Sequence, residues 1–387
     1  MLQLTQSQSS ELIRDRSSDD KMHSAATANT TMPDLLVPLV TGFYRHLIEC
    51  WHGTNASGLQ LHEFSAHDDD ADTRNEATFS DEGDFYGPHC TMKKGIQTVL
   101  EPLLSTASPC ICLNEPGRSI QRQNDTIRLE TTSGMIVEAD YCVVTVPLGC
   151  LAESLRSETN STTESQNHSH QPLEGTIHFE PSLSVEKIQA IQHMDMGCYR
   201  KLFLTFHRIF WPIKEAFLGL VRSKPSRSSS LDNTTDNNGG IGNYLLIDNL
   251  WACNGLPCME AVLIGNAANW GTGKSDEAIC DAVLHFLADA MDLDYATQLK
   301  QWCADCHITR WEEDPYSRGA YSGHRLGTTE RHTKGLATSE WGGRLVFAGE
   351  TTFSGYKGSV HAALLSGEIA AKEIYSKLSQ SRKRLSV

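Results

Sequence analysis

The sequence predicts a mixed fold in which α/β and α+β parts are woven together, and three observations carry that reading. Lys201-Leu202-Phe203-Leu204-Thr205-Phe206 alternates with the period of a half-buried strand. Helical periodicity recurs at 33–50, after Ser184 and from Ser275 onward. The chain then closes on a strand at 345–350, a glycine-rich loop and a helix over about 359–375. Strands and helices alternate without clean βαβ repeats.

Taken in order, residues 1–33 are rich in Ser, Thr, Gln and Asp and read as a disordered tail. The helix at 33–50 rests on Leu35, Leu36, Leu39, Val40, Phe43, Tyr44 and Leu47. A short helix is expected over 96–104, after Gly95. Strand-like runs follow at 110–113, 119–122, 126–131 and 135–138, with Ser133-Gly134 as a turn. The continuous apolar run 141–146 predicts a buried strand ending at Pro147-Leu148-Gly149. Val185, Ile188 and Ile191 should share one face of the helix after Ser184. Ser275 is a plausible N-cap for a helix with Ile279, Ala282, Val283, Phe286 and Leu287 turned inward. Two low-complexity stretches, 153–171 and 223–240, read as surface insertions, since patterned sequence resumes after each.

The net charge of −15 disfavours non-specific nucleic-acid binding and mildly suits a cationic partner. No apolar run is long enough to cross a bilayer, and no charged start followed by an apolar stretch marks a secretory signal. A cytoplasmic or nuclear protein is expected, with the twelve cysteines reduced.

Several motifs fail on inspection. Cys303-Ala304-Asp305-Cys306-His307 matches a covalent haem pattern, but that chemistry needs an exported protein. A zinc site with Cys253 and Cys258 would have irregular spacing, and no metal is expected. Gly271-Thr272-Gly273-Lys274-Ser275 partly matches a P-loop, but Ala268 stands where the first glycine is required.

Three segments carry chemistry. Gly349 and Glu350 come at the C-terminal end of a short strand, where open α/β sheets bind ligands. Gly355 and Gly358 allow close backbone approach, and a helix N-terminus near Ser359 and Val360 suits a negative charge; an ordinary packing loop is the competing reading. Tyr199 and Lys201 lie two apart on one strand face, so the lysine could hold a water or tune a cofactor, against an ordinary strand-end lysine. Residues 309–322 are dense in aromatics, with Trp311, Tyr316 and Tyr321 able to line a pocket or simply to pack.

In this order the segments resemble the flavin-containing amine oxidases, the family of polyamine oxidases, monoamine oxidases and lysine-specific histone demethylases. The matching stretches are 141–149, 177–181, 201–206 with Phe210-Trp211-Pro212, 310–322, 347–350 and 360–367, and similarity runs over about 40–376. The resemblance implies FAD, an amine substrate with polyamine favoured, and molecular oxygen. It implies oxidation at a C–N bond by hydride transfer to flavin N5, imine hydrolysis, and reduction of O2 to H2O2. It places Lys201 on the family's water-holding lysine and Glu350, with Gly349, at the FAD sugar chain. It sets Ser359, Val360 and Trp311 beside the flavin ring, with Tyr316 at a neighbouring aromatic position in the pocket. Pro147, in the 141–149 stretch, joins the cofactor-binding set, and Tyr199 and Tyr321 flank the substrate amine. Tyr199 matches a position that is tyrosine in some polyamine oxidases and small or amide in histone demethylases.

The sequence departs from the family in two respects. Nothing before residue 90 has the Gly-x-Gly-x-x-Gly pattern that opens such proteins, and Gly117 replaces a usual valine. The expectation is an FAD-binding domain with a mixed sheet lacking its first βαβ unit, interwoven with an α+β substrate-binding domain. The substrate side takes 34–90 and 198–329, and the FAD side 91–197 and 330–378. Two alternatives stay open: a demethylase of methylated lysine, and a non-catalytic or incomplete member that does not bind FAD.

Overall fold

The computed structural model describes residues 32–59, 92, 94–107, 110–163, 173–222, 240–323, 326–355 and 357–385. The expected tail and nearly all of the second insertion lie outside them. In chain order the main elements begin with α1 (Met32–His52), α2 (Gln97–Ala107), β1 (Gly117–Gln123), β2 (Thr126–Thr131), β3 (Ile136–Ala139) and β4 (Cys142–Val144). Then come α3 (Leu148–Thr163), β5 (His178–Glu180), α4 (Val185–His193), β6 (Asp195–Met196), β7 (Tyr199–Phe206), β8 (Phe217–Val221) and β9 (Tyr244–Asn249). The chain continues through β10 (Cys258–Ile264), α5 (Asp276–Met291), β11 (Cys303–Ile308), β12 (Ser322–Gly323), α6 (Glu330–Ala337), β13 (Leu345–Phe347) and α7 (Val360–Leu385). The chain divides into two compact units, one of 1–48, 202–262 and 276–307, the other of 49–201, 263–275 and 308–387.

The first unit is built on a sheet of order β11-β7-β10-β9-β8. Its central strand β10 is buried along its whole length, as a strand covered on both faces should be. In β7 the alternation seen in the sequence is real: Leu202, Leu204 and Phe206 are buried, and the residues between are half-exposed. Phe206, Phe210 and Trp211 meet edge-to-face, and the Trp211 indole donates to Asn249 Oδ1 at 2.8 Å, so the buried ring keeps its polar atom satisfied. Helix α5 turns Ile279, Val283, Phe286 and Leu287 inward as expected, with Ala282 half-buried.

The second unit holds a four-stranded mixed sheet of order β3-β2-β1-β5, antiparallel except for the parallel β1–β5 pair. The β1–β2 hairpin turns at Asn124-Asp125, with Asn124 at φ 53°, the left-handed conformation that two-residue hairpin turns demand. Strands β4 and β13 form a separate parallel pair. One apolar cluster joins Ile120, Phe179, Leu148, Ile191, Leu345 and Phe347. Within it Lys187 is fully buried; its ammonium donates to the carbonyls of Leu336 and Thr338 at the end of α6 and lies 3.8 Å from the centre of the Phe347 ring. Burial pushes this lysine down to about 7, although Glu340 and Glu373 pull the other way.

Several local expectations are corrected. Residues 110–112 are irregular and exposed, not a strand. The run 141–146 yields only the short β4, and Val143 is exposed because the strand is covered on one side. Val185 is exposed: it opens α4, and the helix buries Lys187, Ala190 and Ile191 instead. The first low-complexity stretch begins inside a helix, since α3 runs to Thr163, anchored by buried Leu148, Cys150 and Leu151.

Candidate active site

The second unit brings most of the sequence-predicted residues into one neighbourhood. At its start β7 presents Tyr199 and Lys201 on the same side, and the Lys201 ammonium lies 6.0 Å from the centre of the Tyr199 ring. The opposite ring is Tyr321, with centroids 5.7 Å apart and planes inclined by 57°. Lys201 is pinned through its backbone: its N–H donates to Thr309 Oγ1 at 2.9 Å, and its carbonyl accepts from Thr309 N at 3.0 Å.

Tyr321 is held by its hydroxyl and by close backbone. The hydroxyl donates to the Cys50 carbonyl at 2.9 Å. A Cβ on Gly358 would lie 2.8 Å from the ring, and one on Gly53 would lie 3.1 Å from it; both glycines have positive φ. Burial pushes the phenol far above its usual range, so it stays protonated as a hydrogen-bond donor at neutral pH.

Arg200, between the two chemistry-bearing residues, points the other way and is fully buried. It pairs with Glu312 and, at 3.1 Å, with Glu313, and donates to the Gly271 carbonyl at 3.0 Å. Arg310 grips the same Glu313 at 2.8 Å and the Lys274 carbonyl at 2.7 Å. The loop carrying Trp311 and Tyr316 is thus tied down by ion pairs. The alternation of β7 identified which residues share a face, but it gave Arg200 no role. The excess of acid at Glu312-Glu313 was the available signal. Backbone bonds complete the loop: Gly197 N donates to the Tyr321 carbonyl at 2.7 Å, and Ala320 N to the Gly197 carbonyl at 3.0 Å. Trp311 and Tyr316 are exposed, and the Tyr316 hydroxyl donates to Glu174 at 2.8 Å.

The carboxylate loop follows β13. Gly349 sits at φ 127°, where a side chain would be strained, and its N–H donates to Ser366 Oγ at 2.9 Å. Glu350 accepts from Ser322 N at 2.9 Å and Thr351 Oγ1 at 3.1 Å on one oxygen. Its other oxygen accepts from Ser322 Oγ at 2.6 Å and Gly358 N at 2.9 Å. Four donors fill the lone-pair sites of an ionised carboxylate. Holding a sugar hydroxyl as well would require exchanging one of them. Ser359 caps α7, its hydroxyl accepting from Ala362 N at 3.2 Å, and Val360 is exposed beside it. That end of the fold, with an exposed apolar residue on a helix N-terminus, suits a flat ring carrying partial negative charge.

A cavity of about 220 Å³ is lined by Leu148, Gly149, Met194, Asp195, Met196 and Arg318, among others, and so adjoins Pro147. Tyr199, Lys201 and Tyr321 do not line it. Among the described residues no group of His, Cys, Asp and Glu could hold a metal, and no helix is long and apolar enough to cross a membrane.

Comparison with known proteins gives the family. The family model for flavin containing amine oxidoreductases matches residues 34–375. The "Possible lysine-specific histone demethylase 1" of Drosophila melanogaster is 28% identical over 339 residues, covering 83% of this chain and 34% of that protein. "Polyamine oxidase 4" of Oryza sativa subsp. japonica is 28% identical, covering 79% of this chain and 53% of its own length. "Polyamine oxidase 2" of Arabidopsis thaliana is likewise 28% identical, with 79% and 52% covered. The chain therefore spans between a third and about half of the length of these relatives. With the family model covering most of the sequence, the chain belongs to the flavin containing amine oxidoreductases.

Proposed function

We propose that this protein oxidises an amine at a C–N bond with FAD, passing the electrons on to oxygen, and that its substrate is a polyamine. The observation that carries the reading is the Tyr199–Tyr321 ring pair with Lys201 beside it. Two inclined rings make a slot whose faces attract an amine and exclude water. Tyr321, whose phenol is neutral at physiological pH and is pushed further up by burial, presents a neutral ring. Tyrosine rather than a small or amide residue at 199 favours a flexible polyamine over a methylated lysine.

The residues that would hold FAD are Ser359 and Val360 at the start of α7, Trp311, Pro147, Gly349 and Glu350. When bound, FAD supplies the two-electron acceptor that side chains lack. Lys201 offers an ammonium donor to a water beside the slot, and Tyr316 borders the approach from the same loop.

The test is the visible absorption spectrum of the purified chain after addition of FAD and then anaerobic spermine. Flavin uptake followed by bleaching is expected. Uptake that bleaches with a methylated histone peptide but not with spermine would move the reading to a demethylase, and no uptake would remove FAD chemistry from this chain. Lys201→Met should slow oxygen-dependent turnover while leaving the thermal transition in place. Unchanged turnover would take the lysine out of the mechanism.

A further inference from the structure

In the second unit, helix α6 closes its N-terminal end on a histidine. Thr329 is the N-cap, and its backbone N–H donates to Nδ1 of His332, three residues on, at 3.0 Å. That position of a capping box ordinarily carries Glu or Gln, whose side chain accepts without regard to mild acid. An imidazole accepts there only while Nδ1 carries no proton. The Thr329 hydroxyl lies 3.2 Å from the same nitrogen. Protonation therefore turns the bond round: Nδ1–H donates to Thr329 Oγ1, and the backbone N–H loses its acceptor.

The surroundings of the ring oppose that proton. His193, in the last turn of α4, stacks on His332 with centroids 4.7 Å apart and planes inclined by 8°. The His193 Nδ1 is occupied in donating to the Gln189 carbonyl at 2.8 Å. Arg331 in the same turn and Lys357 from the loop before α7 add positive charge, while Glu330 pairs with Lys334 at 3.0 Å. Burial first, and then His193, Arg331 and Lys357, hold His332 below the ordinary histidine value of 6.5. The N-terminal end of a helix disfavours a cation as well.

The capped turn is also a brace. Thr333, the next residue, is buried, and its hydroxyl accepts from Lys357 Nζ at 2.9 Å. Gly358 follows, and its N–H donates to Glu350 Oε2 at 2.9 Å. On the other side of the cap, Thr328 Oγ1 donates to the His193 carbonyl at 2.8 Å.

We infer that His332 is a pH-operated latch: neutral, it caps α6 and holds the Lys357-Gly358 segment through Thr333; protonated, it opens the cap and loosens that segment. The folded chain favours the neutral ring, so the unfolded chain takes up the proton first as pH falls. The latch therefore contributes in full above 6.5 and is lost below that value. It belongs to the fold and does not depend on what the carboxylate loop binds.

The experiment is hydrogen–deuterium exchange of the full chain at about pH 7.5 and about pH 5.5, which bracket ordinary histidine titration, with exchange times scaled for the intrinsic effect of pH. Peptides spanning 328–338 and 350–360 should be protected at the higher value and exchange several-fold faster at the lower. His332→Gln keeps a side-chain acceptor that takes no proton, so both peptides should stay protected at both values. His332→Ala should leave 328–338 fast at both. Equal acid loss in His332→Gln and wild type would assign the effect to general acid unfolding and overturn the proposal. Wild-type protection that does not change with pH would overturn it too, as would loss confined to 328–338.

Discussion

The two halves of the candidate site are built differently. The Tyr199–Lys201–Tyr321 half is made of side chains whose positions are set from behind by Arg200, Thr309 and close glycine backbone. The Gly349–Val360 half spends its charged group on itself: Glu350 accepts four hydrogen bonds from Ser322, Thr351 and Gly358 and so locks the loop to the start of α7. The first half is pre-organised for a substrate. The second is organised for its own stability and must trade internal bonds for ligand bonds. Substrate-slot residues should therefore tolerate loss of their polar tips, while the residues that brace them should not.

The largest effect is expected at Arg200. Its guanidinium is fully buried against two carboxylates, and removing one partner of a buried pair leaves the others uncompensated. Arg200→Leu should cost about 3–5 kcal/mol in urea unfolding. A loss below about 1 kcal/mol, the value of a surface pair, would show that the acidic loop is not braced from beneath.

Lys187 provides the next test, through pH. Its folded value of about 7 lies below the ordinary lysine value of 10.5, so between those limits the unfolded chain binds more protons. Stability owed to this residue rises with pH through that window, by up to about 1.4 kcal/mol per unit, and the rise is complete above it. Lys187→Met should flatten that part of the stability curve. A wild-type curve already flat from pH 7 to 10 would mean that the ammonium stays charged against the Leu336 and Thr338 carbonyls.

Glu350→Gln tests the self-sufficient half. The amide keeps the shape but turns one of the two oxygens into a donor, which then faces either the Ser322 N–H or the Gly358 N–H, at a cost of about 1–3 kcal/mol. If stability is unaffected, the four bonds are incidental and the carboxylate is available for a ligand.

How much of this was legible in the sequence follows the range of the forces involved. The face pattern of β7, the helix that follows Ser184 and the inward stripe of α5 depend on local periodicity, and they appear where the residues put them. Ser133-Gly134 likewise marked a turn. What could not be read depends on distant partners. Arg200 looks like any strand residue until Glu312 and Glu313 are brought beneath it, over a hundred positions away. Lys187 reads as a solvent-facing helix residue, yet it ends buried against the end of α6. Cys110 to Leu113 has the composition of a strand but no neighbour to pair with in the described structure, and a strand is defined by its partner. The four donors to Glu350 come from two loops that the sequence treats as separate segments.

The smallest effect is the most discriminating for the slot itself. Tyr321 is held by one hydrogen bond to the Cys50 carbonyl and by ring contact with the backbone at Gly53 and Gly358. If packing sets the ring, Tyr321→Phe should cost only the bond, about 0.5–1.5 kcal/mol, and the ring should stay opposite Tyr199. Tyr321→Ala should cost more, about 2–3 kcal/mol, because it empties a half-buried aromatic site between close backbones. Equal costs for the two variants would assign the ring's position to the hydroxyl alone. The slot would then be anchored at a single atom, and the contrast between a packed half and a hydrogen-bonded half would fail at its centre.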